Sequence, residues 1–231
     1  MKNIVVLTGA GISAESGIKT FRDADGLWEG HDVMEVASPQ GFNDNPSLVL
    51  DFYNQRRRQL QKVEPNAAHF ALKELSVKYD VVIITQNVDD LHERAGSKQI
   101  IHLHGELLKS RSVLDKQTSY DCFEDIHLGD KAPDGGQLRP NIVWFGEDVP
   151  NLIKAAVRVE QADIIIIVGT SMQVYPAAGL TSYAKPGTNI YYIDPRPTLN
   201  YELNSSRNLK VIEKNATHGV PELVKSLLEE I

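Results

Sequence analysis

The sequence has almost no cysteine. Cys122 is the only one among 231 residues, so no disulfide can form within the chain. A zinc site built from several thiolates of one chain is excluded for the same reason. Apolar side chains make up 42% of the residues, which is enough to fill a core.

Positive charge and long apolar runs are also scarce. The chain has 24 lysine and arginine residues against 31 aspartate and glutamate residues, a formal net charge of −7 at pH 7. This balance favours solubility and gives no electrostatic reason to expect nucleic acid, while a lysine-bearing peptide would be tolerated. The apolar run at 4–7 is too short for a signal peptide or a membrane span, so we expect a cytoplasmic protein that does not enter a membrane.

Strand-like and helix-like segments alternate along the chain. Repeated βα units with continuously apolar strands predict an α/β fold, with a parallel, doubly wound sheet and helices on both faces. The pattern predicts strands at 4–7, 80–85, 100–105, 139–146, 163–168 and 189–193, and helices at 46–60, 66–75, 151–161 and 221–230.

A change in composition marks a smaller inserted part. Ser, Asp, Lys and Gly dominate residues 107–138, with a Pro-Asp-Gly-Gly turn at 133–136. Within a single domain we expect a large part formed by residues 1–30, 65–106 and 139–231, and a smaller part formed by the insertions 31–64 and 107–138. The apolar residues expected to hold the second insertion are Leu114, Tyr120, Phe123, Ile126 and Leu128.

The first strand ends in a glycine-rich turn. Gly9 and Gly11 have no Cβ, so the backbone can adopt positive φ there and let a bulky anion approach the N–H groups. Small and polar residues at 13–17 are suited to open a helix, whose N-terminus would add to a phosphate seat. With Gly17, the spacing departs from the dinucleotide-binding pattern Gly-x-Gly-x-x-Gly, so a turn that merely joins two elements remains an alternative.

Polar or glycine clusters follow five of the apolar runs directly. The carboxyl ends of parallel strands share one edge of the sheet, where α/β proteins bind ligands, so the clusters together predict one site. They are Gly9-Ala10-Gly11, Gln86-Asn87-Val88-Asp89, His104-Gly105, Gly169-Thr170-Ser171 and Asp194.

These residues belong to motifs that resemble the sirtuins. In that family's order, the chain carries GAGISAESGI at 9–18, TFR at 20–22, TQNVDDLHERAG at 85–96, LHG at 103–105, VWFGE at 143–147, GTSMQVYPA at 169–177 and ATHGVPEL at 216–223. The set is far more specific than a lone glycine motif. It implies a Rossmann-like NAD domain with a small insertion, and an NAD-dependent protein-lysine deacylase whose acyl-lysine enters a cleft between the two parts.

The resemblance implies which residues surround NAD. Asp194 stands where the family commonly has asparagine. A carboxylate at a strand end can accept hydrogen bonds from ribose hydroxyls, which favours NAD over its phosphorylated form. The implied cofactor-binding residues are Gly9, Ala10, Gly11, Ile12, Ser13, Glu15, Thr20, Phe21, Arg22, Trp28, Gln86, Asn87, Val88, Asp89, Gly169, Thr170, Ser171, Asp194 and Ala216.

His104 matches the general base of the sirtuins, and the resemblance places Asn87 and Asp89 at the nicotinamide ribose and carboxamide. A base that takes a proton from a ribose hydroxyl must titrate near neutral pH, as histidine does. In the implied reaction the acyl-lysine carbonyl oxygen attacks the ribose carbon as nicotinamide leaves, and the products are free lysine and O-acyl-ADP-ribose. The histidines interpreted as structural are His69, His92 and His102.

Tyr53 and Arg56 are three residues apart on one predicted helix, so their side chains share a face and can converge on a small anion. A guanidinium can pair with a carboxylate through two parallel hydrogen bonds. In the sirtuins this Tyr-x-x-Arg pair marks the branch that prefers succinyl- and malonyl-lysine over acetyl-lysine. By spacing alone, the three arginines at 56–58 are also typical of a solvated basic surface. The resemblance further implies that the substrate peptide pairs along a strand formed by Val143, Trp144, Phe145, Gly146 and Glu147.

The chain departs from the sirtuins in the second insertion. The family usually holds zinc there with two Cys-x-x-Cys pairs, the first expected near Ser112, whereas this insertion has a single cysteine, Cys122, with His127 nearby. No tetrahedral set at zinc-finger spacing results, so we expect no bound zinc; a metal site of Cys122 and His127 remains an alternative.

Two other functions would use the same cleft. Some sirtuin-like proteins transfer ADP-ribose to proteins, and an NAD-binding sensor would bind the cofactor without turnover. The retention of Asn87, Asp89 and His104 argues against the transferase. We therefore expect a monomeric deacylase that acts on acylated lysine side chains of proteins and binds no nucleic acid.

Overall fold

The computed structural model describes residues 1–19 and 27–229, with Leu27 described by its backbone only, and its centre is a parallel sheet. The strands of the described ranges are β1 Asn3–Thr8, β2 Leu27–Trp28, β3 His31–Asp32, β4 Asp80–Thr85, β5 Ile100–His102, β6 Gly105–Ser112, β7 Ser119–Asp121, β8 Leu138–Ile142, β9 Ile164–Val168, β10 Asn189–Ile193 and β11 Leu209–Ile212.

The helices include the long α3, which begins as the sequence predicts. The Asn45 side chain accepts a hydrogen bond from the Leu48 N–H, and Pro46 lies in the first turn. No helix in the described ranges is both long enough and apolar enough to cross a membrane. The helices are α1 Val33–Val36, α2 Pro39–Asp44, α3 Pro46–Leu60, α4 Ala67–Glu74, α5 Leu91–Arg94, α6 Leu152–Gln161, α7 Tyr201–Asn204 and α8 Ala216–Glu229, with 3-10 helices at Ala10–Ile12, Ala14–Ser16, Leu75–Val77 and Ala177–Tyr183.

The main sheet has the strand order β11-β10-β9-β1-β4-β5, and every pair is parallel. The chain leaves the central strand β1 toward β4 and β5, and later returns to the other side of β1 at β9. The connections therefore change direction between β1 and β9, which is where open α/β sheets bind ligands. The predicted α/β fold is confirmed.

Both faces of this sheet are covered. On β9, Ile164, Ile166 and Val168 belong to the apolar cluster that contains residues of α4 and α8. Ile165 and Ile167 belong to the cluster on the opposite face, which contains residues of α6. Every β9 side chain is at most 5% exposed, so the strand has no polar face and its sequence is an unbroken apolar run.

A smaller, antiparallel sheet of order β7-β6-β8 packs against α3. Its apolar cluster includes Phe52, Leu107, Ile126, Ile142 and Trp144. The boundaries predicted for the large and small parts stay a prediction.

The prediction of which side chains hold the second insertion is largely wrong. Leu114, Phe123 and Leu128 are 70%, 55% and 62% exposed, and Tyr120 is only partly buried. Of the five predicted residues, Ile126 alone is in the core. The three-stranded sheet of this region does not cover these side chains, so they stay at its surface.

A buried ionic cluster joins β6, β8 and the turn that follows β8. The Glu147 carboxylate accepts hydrogen bonds from Arg111 Nη2 at 3.0 Å, from Arg139 Nη1 at 3.0 Å and from the Trp144 N–H at 3.0 Å. The three charged side chains are at most 7% exposed. The Arg139 guanidinium also lies 3.2 Å from the centroid of the Trp144 ring, where a cation and an aromatic face attract each other.

The segment 13–17 does not open an α-helix as predicted. It forms a single 3-10 turn that stops at Gly17, where φ is +97°. The short strand expected over 100–105 ends at His102, because the chain turns there into β6.

The last helix begins earlier than predicted. It starts at Ala216 and contains Pro221 in its interior. The Glu15 carboxylate accepts hydrogen bonds from the Thr217 N–H at 3.0 Å and from the Thr217 hydroxyl at 2.6 Å. A distant side chain therefore satisfies the first turn of α8, which the local sequence did not indicate.

Candidate active site at the carboxyl edge of the sheet

The turn after β1 lies directly against the turn after β9. The Gly11 N–H donates to the Gly169 carbonyl oxygen at 2.8 Å, and a Cβ on Gly11 would lie 2.6 Å from Gly169 Cα. Gly169 itself has a φ of +61°, which favours glycine. These glycines let two backbone turns meet at the point where the sheet changes direction.

Gly9 and Gly11 do not use the positive φ that the absence of a Cβ allows them. Gly9 has a φ of −129°, and Gly11 is not among the described glycines with positive φ. The N–H groups of Gly9, Gly11, Ile12 and Ser13 already donate to carbonyl oxygens of the protein. The Ile12 side chain is fully buried in the core. The turn is shaped by its contact with the neighbouring turn, and these N–H groups are not free donors for a phosphate.

Polar side chains from the turn after β1 and the turn after β4 are hydrogen-bonded to each other. The Ser13 hydroxyl donates to Asp89 Oδ2 at 2.9 Å and accepts from Asn87 Nδ2 at 3.2 Å. All three residues are at most 8% exposed. Burial raises the pKa of Asp89 to about 6, against the opposing effect of hydrogen bonds from the Leu91 N–H and Ser13. The structure thus brings together three of the residues that the sequence predicted in one site.

His104 is held by the turn that precedes Asn87. Its Nδ1 lies 3.0 Å from the Gln86 carbonyl oxygen, which can only accept, so Nδ1 carries the proton. Nε2 then presents a lone pair, and it makes no hydrogen bond within the described ranges. Burial lowers the pKa of His104, so the ring is neutral at pH 7. The arrangement is that of an available base.

His102 contacts the carbonyl group of Asn87, the next residue in the same turn. Its Nδ1 lies 3.2 Å from the Asn87 carbonyl oxygen, and its Nε2 lies 2.7 Å from Glu93 Oε1. Burial alone would lower the pKa of His102, but the hydrogen bond and charge of Glu93 raise it. These contacts support the structural interpretation of His102.

The other two histidines are buried and neutral. The His69 and His92 rings lie 4.9 Å apart between centroids, and His92 Nε2 lies 3.1 Å from Thr8 Oγ1. Burial lowers the pKa of His69 to about 4 and that of His92 well below its usual value. Their packing under β1 supports a structural role for both.

The turn after β9 is fixed by two side chains. Gln86 Nε2 donates to Thr170 Oγ1 at 2.9 Å, and the Tyr192 hydroxyl donates to the Thr170 carbonyl oxygen at 2.7 Å. Asp194, at the end of β10, accepts one hydrogen bond through Oδ1, from the Arg196 N–H at 2.8 Å. Its other oxygen has no hydrogen bond to the described residues and is able to accept from a ribose hydroxyl.

Some predicted cofactor residues have other contacts or lie outside the described ranges. Both carboxylate oxygens of Glu15 are bonded to Thr217, beside the predicted Ala216. Val88 is partly buried and packs against the cluster of the small sheet. The predicted residues that lie outside the described part of the chain are Thr20, Phe21 and Arg22.

Tyr53 lies deep beside the small sheet. It is 1% exposed, and its hydroxyl accepts a hydrogen bond from Trp144 Nε1 at 3.0 Å. Trp28, predicted near the cofactor, packs edge to face on the Tyr53 ring with centroids 6.1 Å apart. Burial raises the pKa of Tyr53, so the hydroxyl keeps its proton and remains a donor.

The Arg56 guanidinium makes one hydrogen bond within its own helix and one longer ion-pair contact with Glu29. Nη1 donates to the Phe52 carbonyl oxygen at 2.8 Å, and the guanidinium lies 4.0 Å from the centroid of the Phe52 ring. Nη2 lies 3.6 Å from the Glu29 carboxylate. Nε is buried and has no hydrogen-bond partner among the described residues. Burial lowers the pKa of Arg56 against the effect of Glu29, and the guanidinium stays charged.

The residues at 143–147, predicted to form a strand, lie outside β8 in a turn that follows it; their pairing with a substrate peptide stays a prediction. The Val143 N–H donates to the His104 carbonyl oxygen at 2.9 Å, which ties this turn to the predicted base. Trp144 is 2% exposed, and Glu147 accepts from two buried arginines, so both side chains support the fold. Phe145 is 44% exposed.

The position of the expected first zinc cysteine is occupied by a hydrogen-bonded hydroxyl. The Ser112 hydroxyl donates to Asp134 Oδ1 at 2.8 Å, and the same oxygen accepts from the Gly136 N–H at 2.9 Å. Within the described ranges, no group of three or more His, Cys, Asp or Glu residues is placed to hold a metal ion. The side chains around Ser112 and Asp134 do not provide a set of zinc ligands. Folding of the insertion without zinc stays a prediction.

Sequence reasoning missed Glu29 and the partners of Glu147. Glu29 follows Trp28 in an aperiodic loop, so nothing in the pattern indicated that it pairs with Arg56. Arg111 lies near the start of the second insertion and Arg139 directly follows it, and nothing in their spacing indicated a shared buried acid. Glu147 was assigned to a strand instead.

Comparison with known proteins supports one family. The Sir2 family profile matches residues 9–176. A Helicobacter pylori protein named NAD-dependent protein deacylase is 60% identical over 229 residues, which cover 99% of each chain. A Bacteroides thetaiotaomicron protein of the same name is 53% identical over 234 residues, again covering 99% of each chain.

Solved structures agree in fold along almost the whole chain. A Sir2 homologue in complex with NAD superposes with a TM-score of 0.88 at 41% identity, covering 99% of this chain and 90% of the homologue. A Sir2 mutant bound to a p53 peptide and NAD gives a TM-score of 0.77 at 30% identity, covering 98% of this chain and 92% of that one. Because the profile spans more than half of the chain and the relatives match it from end to end, the chain belongs to the Sir2 family of enzymes, the sirtuins.

Proposed function

We propose that this chain is an NAD-dependent protein-lysine deacylase that prefers succinyl- and malonyl-lysine and also accepts acetyl-lysine. Relatives at 53–60% identity are named NAD-dependent protein deacylases. The observation that carries the proposal is the neutral His104, whose Nε2 lone pair is free within the described ranges, next to the buried pair of Asn87 and Asp89.

The residues that would hold NAD lie at the carboxyl edge of the sheet. Gln86, Asn87 and Asp89 would bind the nicotinamide and its ribose, and Thr170 and Asp194 would bind the adenosine half. The donors and acceptors fit, since amide groups match a carboxamide and a half-used carboxylate matches ribose hydroxyls. When bound, NAD supplies an electrophilic ribose carbon with nicotinamide as the leaving group.

His104 would take a proton from a ribose hydroxyl. The Gln86 carbonyl oxygen fixes the proton on Nδ1, so Nε2 is always the accepting atom at neutral pH. Because burial lowers the pKa of His104, the ring is not already protonated when the reaction requires a base. The hydrogen bond from the Val143 N–H to the His104 carbonyl oxygen ties the proposed base to the turn after β8, where the peptide would bind.

Arg56 and Tyr53 would recognise a carboxylate at the end of the acyl chain. The Nε of this buried guanidinium has no hydrogen-bond partner among the described residues, which is unfavourable in free energy. A carboxylate supplies two acceptor oxygens, one for Nε and one for Nη2. The protonated Tyr53 hydroxyl can donate in addition. Acetyl-lysine lacks this carboxylate, so it would use none of these donors.

The peptide would bind at the exposed end of the turn after β8. Phe145 and Gly146 are exposed there, and backbone pairing with a peptide would be largely blind to its sequence. Further parts of the proposal are a cytoplasmic location, a monomeric state and no binding of nucleic acid, the last supported by the net charge of −7.

Mass spectrometry of acetyl-, malonyl- and succinyl-lysine peptides, incubated with and without NAD, tests the proposal. We expect the wild type to remove all three groups only with NAD, and His104→Tyr to remove none. Arg56→Met should lower kcat/KM for succinyl-lysine about 30-fold or more, as expected from the loss of charge-assisted hydrogen bonds, and should spare acetyl-lysine.

Arg58→Met is the matched control, because Arg58 lies on the same helix with its side chain 47% exposed and paired with Asp125. It should leave all activities unchanged. An equal loss on succinyl and acetyl peptides in Arg56→Met would contradict the carboxylate recognition. Binding of NAD without nicotinamide release would favour a sensor, and ADP-ribose attached to protein would favour a transferase.

A further inference from the structure

We infer that Glu29 is a specificity-determining residue, which competes with the acyl carboxylate for Arg56 and so sets the preference between charged and neutral acyl groups. The inference rests on the proposed role of Arg56. With Glu29 in place, the guanidinium has a negative partner even when the acyl group is neutral. A succinyl or malonyl group has to displace that partner.

The contact between the two side chains has the geometry of an exchangeable pair. The ion pair joins Nη2 to the Glu29 carboxylate, and its distance of 3.6 Å is longer than a hydrogen bond. Nε, the other donor on that edge, is buried and unbonded among the described residues. Glu29 therefore makes no hydrogen bond to the two-donor edge of Arg56, which an incoming carboxylate could engage through both oxygens.

Lys19 offers Glu29 a second partner. The Lys19 ammonium lies 3.1 Å from the same Glu29 oxygen, and its side chain is 68% exposed whereas those of Glu29 and Arg56 are 15% and 16% exposed. The three side chains carry two positive charges and one negative charge. A displaced Glu29 can stay paired with Lys19, and the remaining positive charge on Arg56 matches the carboxylate of the substrate.

Arg56 does not need Glu29 to stay in position. Its Nη1 bond to the Phe52 carbonyl oxygen and its contact with the Phe52 ring come from the preceding turn of the same helix. Glu29 itself lies in the left-handed region, with a φ of +52°. Glutamine at this position would have the same backbone strain and the same shape, so Glu29→Gln changes the charge and little else.

Steady-state kinetics on succinyl-, butyryl- and acetyl-lysine peptides test the inference, since butyryl has the length of succinyl without its carboxylate. We expect Glu29→Gln to lower KM for the succinyl peptide about three-fold, as expected for a partly exposed ion pair, with kcat and both neutral peptides unchanged. Glu29→Asp, whose shorter side chain reaches less far, should lower this KM by less. Lys19→Met should raise it, because Glu29 then has Arg56 as its one remaining cation among the described residues.

Glu64→Gln is the charge control, because Glu64 is 82% exposed and pairs with Arg94, and it should change no KM. The inference is overturned if Glu29→Gln alters the three peptides equally or leaves the succinyl KM unchanged. It is also overturned if the Glu29→Gln effect persists in an Arg56→Met background, where a double-mutant cycle requires it to vanish. If Arg56→Met alone does not weaken succinyl activity, the proposed function fails and this inference fails with it; if Arg56→Met weakens it and Glu29→Gln has no effect, the inference alone fails.

Discussion

Replacing Glu147 with glutamine should destabilise the protein far more than removing a charge from an exposed side chain would. The Glu147 carboxylate is the shared acceptor of Arg111, Arg139 and the Trp144 N–H, at 3.0 Å in each case. Both arginines are 6% exposed. Glutamine has the same shape and one acceptor oxygen, but it leaves two buried positive charges without a negative partner.

We expect Glu147→Gln to lower the free energy of unfolding by about 3 kcal/mol. This is at the lower end of the range for breaking a buried ion pair, because glutamine still accepts one hydrogen bond. For a chain of this length, each kcal/mol shifts Tm by about 2–4 °C, so the shift should be roughly 6–12 °C. The loss should also depend on pH. Burial alone would raise the pKa of Glu147, but hydrogen bonds from Arg139 and the Trp144 N–H and the charges of both arginines lower it.

A group whose pKa is lowered by folding stabilises the protein above its unfolded pKa, and that stabilisation is lost as the pH falls through the folded pKa. Thermal unfolding of wild type and Glu147→Gln, followed by circular dichroism from neutral pH to below the ordinary carboxylate range, measures both effects. Glu222→Gln removes half of an exposed pair with Lys214 and is the control. A Tm within about 2 °C of the wild type at pH 7, or a difference that does not shrink in acid, would refute the reasoning.

Three further expectations follow from the site and the insertion. Burial lowers the pKa of His104 below 6.5 and raises that of Asp89 only to about 6. In a pH profile, kcat/KM should therefore rise with pH along an acid limb centred below 6.5. A limb centred at a higher pH would contradict the assignment of His104 as the base. Ile126→Ala should lower the free energy of unfolding by about 2–5 kcal/mol, whereas Leu114→Ala, at a site 70% exposed, should change it by less than about 0.5 kcal/mol in denaturant titrations. EDTA should leave Tm unchanged in calorimetry, and a drop on chelation that zinc restores would show that the insertion does bind metal.

Much of the fold could be predicted because the deciding interactions are local. The isoleucines of β9 are buried on both faces, so their unbroken run predicts a central parallel strand without any knowledge of its neighbours. Asn45 and Pro46 begin α3 through contacts within one turn, and both act through intrinsic preferences. Where the cause lies within a few residues, pattern reasoning identifies the element.

The parts that could not be predicted depend on contacts between distant segments. Gly9 and Gly11 can adopt positive φ, but the structure uses their missing Cβ atoms for contact with Gly169, which no local pattern shows. Leu114 is apolar and still exposed, because the three-stranded sheet of the insertion does not cover it. The pairing of Glu29 with Arg56 joins a loop to a helix face, and periodicity contains no information about such a pair.

The central position of β1 has a consequence for synthesis. It precedes both of its neighbours in the sequence, and these are completed only at Thr85 and Val168. Its following turn is tied through Glu15 to Thr217, 202 residues later. At about 5–20 residues per second, a nascent chain exposes one open edge of β1 until most of the protein has emerged. Translation speed and chaperone access during that interval should therefore decide how much of the enzyme reaches its native state in a cell.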